Sequence, residues 1–184
     1  KTSQKLIRID GGYMAFSPEK LPDILRREDL NNFRFGTFNN SRKLTKESIS
    51  LFCKILNKSP KADLVLKSIS FVEAEEQYRV RNLFLEKGIS NERLIMIPWI
   101  EGWENHMSMY REIDIALDPI PYGGATTSCE ALAMGVPVIS LSGKGMVGCL
   151  TASILTYAGH EQWLANTIDE YIDIATKLYQ EGKR

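Results

Sequence analysis

A chain of 184 residues with 43% hydrophobic content can bury one substantial core but not two complete domains. Its 23 Lys and Arg balance 23 Asp and Glu, and no segment forms a basic run, so no nucleic-acid partner held by phosphate neutralisation is expected. Apolar stretches stop at strand length with no cationic leader before them, and Cys53, Cys129 and Cys149 are odd in number and widely spaced; free thiols, no membrane contact and a cytoplasmic setting are expected.

Residues 1–32 lack periodicity and contain Gly11, Gly12, Pro18 and Pro22, which reads as a crossover or linker ahead of one domain at residues 33–184. Aromatic alternation at 33–38 predicts a first strand, and Ile49, Phe52, Ile55 and Leu56 place one apolar stripe on a helix over 45–59. A strand over 63–69, a helix over 73–87 stopped by Gly88, and a strand over 93–97 before Pro98 follow. Next come a helix near 105–112, strands at 114–117 and 136–141 around a helix at 126–134, and closing helices at 147–157 and 167–180. Strands separated by single helices require right-handed crossovers, hence a parallel sheet covered on both faces: a doubly wound, Rossmann-like α/β fold.

Ligands of such sheets bind at loops following the strands, and the loop Asp118-Pro-Ile-Pro-Tyr-Gly-Gly-Ala-Thr-Thr127 carries the strongest signal. Pro119 and Pro121 stop the strand, Gly123 and Gly124 allow close backbone approach, and Thr126 and Thr127 open a helix whose first N–H groups and positive dipole end attract a phosphate. Glu130 sits one turn along the same helical face, where a carboxylate can accept from ribose hydroxyls. Taken singly, Thr126 is also an ordinary N-cap and Glu130 an ordinary solvated acid. The loop Asn39-Asn-Ser-Arg-Lys43 offers amides and a cation, read either as a diphosphate partner or as a solvated lysine. In 98–106, Trp99 or Trp103 either faces a base or joins the core, and His106 is either a structural residue or an acid or base.

Five segments stand in an order that resembles one family: Phe35-Gly-Thr-Phe-Asn-Asn-Ser-Arg-Lys43-Leu-Thr, Leu64-Val-Leu-Lys67-Ser, Arg93-Leu-Ile95, the 118–127 loop, and Ala133-Met-Gly-Val-Pro-Val138. The chain resembles the C-terminal catalytic lobe of the O-GlcNAc transferases and their bacterial relatives, from Ile9-Asp-Gly-Gly-Tyr13 to Asp169-Glu-Tyr-Ile-Asp-Ile-Ala175. The resemblance implies one lobe of a GT-B fold binding a UDP-sugar, UDP-GlcNAc in the family. It puts the diphosphate-binding, leaving-group-stabilising lysine at Lys43, the phosphate pair at Thr126 and Thr127, and the ribose acid at Glu130. It further implicates Asn40, Gly124 and Ala125 around the donor and the segment with Trp99, Ile100 and His106 around uracil.

The chemistry so implied is inverting transfer to a protein Ser or Thr hydroxyl, with no metal and no other cofactor. The protein acceptor is implied to be held by N-terminal regions that usually include tetratricopeptide repeats, so these 184 residues alone are expected to bind the donor without transferring sugar. The chain departs from animal members in having Ala125 where they have His and Asn40 where they have Gln. Two other readings use the same loops: a GT-B glycosyltransferase with a glycan acceptor, and a nucleotide-sugar-binding module without catalysis.

Overall fold

The computed structural model describes residues 12, 14–18, 20–25 and 32–182. Strands β1 (Phe33–Thr37), β2 (Ala62–Lys67) and β3 (Leu94–Ile97) alternate with helices α1 (Lys46–Lys58) and α2 (Ala74–Leu85). After α3 (Trp103–Ser108) come β4 (Ile115–Leu117), α4 (Thr126–Ala133) and β5 (Val138–Leu141), then the short α5 (Gly145–Gly148), α6 (Leu150–Tyr157), β6 (Leu164–Ala165) and α7 (Ile168–Gly182). All six strands run parallel in the order β3-β2-β1-β4-β5-β6. The chain therefore builds outward from β1, returns to place β4 on its other side and builds outward again. Where the two halves diverge, the loops after β1 and β4 meet at the C-terminal ends of the strands and border a small crevice lined by Asn39, Asp118, Thr127 and Ser128.

Strand residues alternate between two cores, as a period of two requires. Leu64 and Leu66 join Phe52 and Ile55 of α1, Phe84 of α2, and Tyr171 and Tyr179 of α7 on one face. Val65 and Ala116 point the other way, to Met107 of α3, Ala131 of α4 and Leu155 of α6. Arg93, from the third quoted segment, binds the first unit together: its guanidinium donates to the carbonyls of Leu56 at 3.1 Å and Ser59 at 2.8 Å, past the end of α1.

The doubly wound parallel α/β architecture is as expected; three details differ. The two-residue strand β6 completes a sixth position that no periodic pattern marked. The strand expected from 136 begins at Val138 because Gly135, with φ 73°, ends α4 and the Val136 amide turns back to the Ala131 carbonyl at 2.8 Å. The helix expected over 147–157 is broken: the Gly148 carbonyl accepts from the Gly143 amide at 2.9 Å and Cys149 Sγ lies 3.1 Å from the Gly143 carbonyl, so α5 and α6 separate at Cys149.

Before β1, none of the described residues lies in a helix or strand. Lys20 ties this segment to α3, its ammonium 2.7 Å from Glu104 and its carbonyl accepting from the Trp103 indole at 2.9 Å. The quoted Ile9 to Tyr13 stretch lies outside the described residues apart from Gly12. Cys53, Cys129 and Cys149 form no disulfide, and no helix of the described residues is long and apolar enough to cross a membrane.

Candidate functional site

The crevice is framed by two helix starts. Thr45 caps α1, its Oγ1 accepting from the Ser48 amide at 3.1 Å, and it also donates to the Ile120 carbonyl at 2.9 Å, which ties the loop after β4 to α1. The N-cap of α4 is Ala125, with no side-chain acceptor over the end of the helix and no acid in its first turn. The N-terminal end of α4 thus presents amides and a positive dipole with nothing of its own to neutralise them.

Asp118 shapes the turn that delivers α4. It is fully buried at the end of β4, where it accepts from the Gly124 amide at 2.5 Å and the Ser140 hydroxyl at 2.7 Å. Burial raises its pKa, opposed by those donors and by the Lys43 cation. Its backbone carbonyl accepts from the Tyr171 hydroxyl of α7 at 3.0 Å. The adjacent glycines are required by proximity, since neither has a positive φ. A Cβ on Gly123 would meet Asp118 Oδ2 at 2.5 Å, and one on Gly124 would meet Thr127 Oγ1 at 2.7 Å and press on Ser128 Oγ.

Lys43 reaches this turn from the loop after β1. Its half-buried ammonium donates to the Gly123 carbonyl at 2.7 Å and to Asn39 Oδ1 at 3.2 Å, and lies 4.3 Å from the centre of the Tyr122 ring. Burial lowers its pKa, opposed by the Asp118 charge. The result is a desolvated cation beside an uncapped helix start, an arrangement suited to an anion. Asn39 completes it: Oδ1 also accepts from Thr127 Oγ1 at 3.2 Å, so one amide holds both the lysine and the helix hydroxyl.

Glu130 lies deeper on α4 and is buried. Its Oε2 accepts from Tyr110 at 2.9 Å and contacts His106 Nε2 at 3.1 Å, while Oε1 has no partner among the described residues. Burial alone would raise its pKa; the His106 and Tyr110 hydrogen bonds outweigh it and the net shift is downward. On the far side of His106, Nδ1 lies 2.7 Å from the ammonium of Lys67, which ends β2 and is itself buried.

The expected site residues therefore fall into four groups. Lys43, Gly124, Ala125 and Thr127 meet at the start of α4, and His106 meets Glu130 one turn on. Thr126 is exposed at the first helical position, with no hydrogen bond from its hydroxyl among the described residues. Asn40, Trp99 and Ile100 stand apart from these contacts: exposed Asn40 accepts from the Arg42 amide at 3.0 Å, Trp99 is 54% exposed, and Ile100 is half-buried on the same loop. Sequence reasoning had not singled out Asn39, Lys67, Tyr110 and Asp118 as site residues. Asn39, Lys67 and Asp118 lie inside quoted segments, whereas no local pattern marks Tyr110. Among the described residues, no group of three or more His, Cys, Asp or Glu is placed to hold a metal ion.

Residues 29–184 match the family model described as glycosyl transferase family 41. A protein of Solanum lycopersicum named "Probable UDP-N-acetylglucosamine--peptide N-acetylglucosaminyltransferase SPINDLY" is 32% identical over 181 residues, which cover 97% of this chain and 19% of that protein. Its namesake from Oryza sativa subsp. japonica is 33% identical, with 97% and 20% covered. The chain thus spans about a fifth of the length of these relatives. A mutant of the Thermobaculum terrenum O-GlcNAc transferase superposes with a TM-score of 0.83 at 35% identity, over 89% of this chain and 31% of that one.

Proposed function

The chain belongs to glycosyl transferase family 41, and from that premise we propose that it is the donor-binding lobe of an inverting enzyme that transfers a sugar, GlcNAc in the closest reading, from UDP to protein Ser or Thr hydroxyls. The observation that carries this reading is the Lys43 ammonium seated on the Gly123 carbonyl beside the uncapped start of α4. A diphosphate placed there receives the α4 amides and the Thr126 and Thr127 hydroxyls, and Lys43 faces the charge that grows on the leaving UDP as the glycosidic bond breaks. Such donors act most strongly where charge develops, so they lower the barrier more than they tighten ground-state binding. Glu130, through Oε1, accepts from the ribose diol, and the 98–106 loop, which brings His106 beside Glu130, is the side assigned to uracil.

The acceptor hydroxyl and its base come from outside this lobe. In such a two-lobed cleft, aligning acceptor with donor supplies about 7–11 kcal/mol of the barrier, so the 184 residues alone bind the donor and turn over no acceptor peptide. Calorimetric titration with UDP, GDP, UDP-GlcNAc and UDP-glucose tests the donor reading. Selective, saturable binding of UDP and one UDP-sugar is expected; absence of nucleotide binding, or equal binding of GDP and UDP, overturns it.

A further inference from the structure

Lys67 is a buried cation outside the phosphate end of the crevice: it ends β2, only 6% exposed, and its polar partner is the His106 ring at 2.7 Å. A lysine ammonium has three N–H donors and no acceptor, so the His106 nitrogen facing it must offer its lone pair. That nitrogen is Nδ1, and the ring proton is thereby assigned to Nε2, which lies 3.1 Å from Glu130 Oε2. With Tyr110 donating to the same oxygen at 2.9 Å, Oε2 is held by two donors, and Oε1 is left without a protein partner among the described residues.

We infer that Lys67 is a positioning residue which fixes the Nε2–H tautomer of His106 and so orients Glu130 to present Oε1 to a vicinal diol. Charged and titratable groups facing the imidazole are Lys67 and Glu130, with the Tyr110 and Trp103 rings packed beside it. Lys67 itself lies 5.7 Å from the Phe38 ring centre, and the Glu130 charge opposes the desolvation that lowers its pKa. Remove the ammonium and Nδ1 loses the donor that keeps it bare. The ring is then free to carry its proton on either nitrogen, and Glu130 loses a fixed donor. The inference rests on the reading of Glu130 as the ribose acceptor, and the test separates the two.

Long-range proton–nitrogen spectra report which imidazole nitrogen carries the proton, and a His160→Asn background leaves His106 as the single histidine of the chain. The expected result is a single Nε2–H tautomer that Lys67→Met abolishes and Lys67→Arg, another donor-only cation, restores. In parallel, the preference for uridine over 2′,3′-dideoxyuridine falls about tenfold in Lys67→Met, while the gain of UDP over uridine is unchanged because Lys43 is intact. A proton on Nδ1 in the unaltered side chain, or a tautomer and diol preference that survive Lys67→Met, overturns the inference, and the first readout needs no variant at Lys67 to fold. If the unaltered chain shows the Nε2–H tautomer but no diol preference, the ribose reading of Glu130 falls and takes the functional half of the inference with it.

Discussion

Helices α1 and α4 both begin at the crevice between β1 and β4, yet one completes its own N-terminus and the other leaves it open. Thr45 supplies α1 with an acceptor for the Ser48 amide, and Glu47 adds an acid to its first turn. Ala125 supplies α4 with neither; just before it the Asp118 carboxylate is engaged on the Gly124 amide, and the Lys43 ammonium on the Gly123 carbonyl adds positive potential beside the helix start. A helix end that serves only the fold gains about 0.5–2 kcal/mol from such a cap. Where that gain is forgone and a desolvated lysine is brought alongside, the helix end is left open for an anion, the role proposed for the UDP diphosphate.

The strongest way to break this comparison is to remove the cation. Lys43→Ala is expected to weaken UDP by roughly ten- to hundredfold and uridine hardly at all, because a hydrogen bond to a charged group is worth about 1.5–3 kcal/mol and its partner is the diphosphate. Equal losses for both ligands in calorimetry would mean that Lys43 acts through folding. Since burial lowers the Lys43 pKa from 10.5, its charge is lost sooner as pH rises than that of an exposed lysine. UDP affinity of the unaltered chain should therefore decline on the alkaline side before the ordinary lysine range, and decline less steeply in Lys43→Ala, where only the loss of charge at Lys67 remains.

Next in size is Thr45→Ala, which takes the cap from α1. A loss of about 1 kcal/mol in urea unfolding is expected, with UDP affinity unchanged. A large fall in affinity would show that the two helix starts are not separable. Ala125→Asp tests the opposite direction by giving α4 an anion of its own. Thermal stability should rise by about 0.3–1 kcal/mol from the helix dipole while UDP binding weakens, the added carboxylate competing for the same amides. Tighter UDP binding would contradict an anion site there.

The smallest effect concerns Glu130, whose folded pKa is lowered from 4.5 by its His106 and Tyr110 donors despite burial. A depressed carboxyl contributes stability above its unfolded pKa and loses it as pH falls through the folded value. The stability advantage of the unaltered chain over Glu130→Gln at neutral pH should therefore shrink below about pH 4.5. Acid titration of both proteins by circular dichroism checks the sign.

The fold was legible because its signals are local: the stripe Ile49, Phe52, Ile55 and Leu56 suits a helix, and the short apolar run of β2, buried on both faces, suits a strand of a parallel sheet. Strand β6 was not, since Leu164 and Ala165 are too few to alternate and pair only because β5 lies beside them. Within the crevice, the glycine turn, Lys43, Thr127 and Glu130 were readable from local chemistry. The choice between Asn39 and Asn40 was not: consecutive amides in one loop look alike until the backbone turns one inward to Lys43 and leaves the other capping Arg42. Lys67 and Tyr110 act on His106 and Glu130, partners brought near only by the fold, and sequence spacing carries no trace of that.

The hydroxyl of Tyr171 on the Asp118 carbonyl has a consequence for the order in which the molecule is made. Every side chain of the crevice has been synthesised by Glu130, yet the aspartate that bends the glycine turn is secured by the last described helix. A nascent chain that ends before Tyr171 lacks this one tie, while the Gly124 amide on Asp118 and the Lys43 ammonium on the Gly123 carbonyl can already form, so α7 adds the last of several holds on the turn.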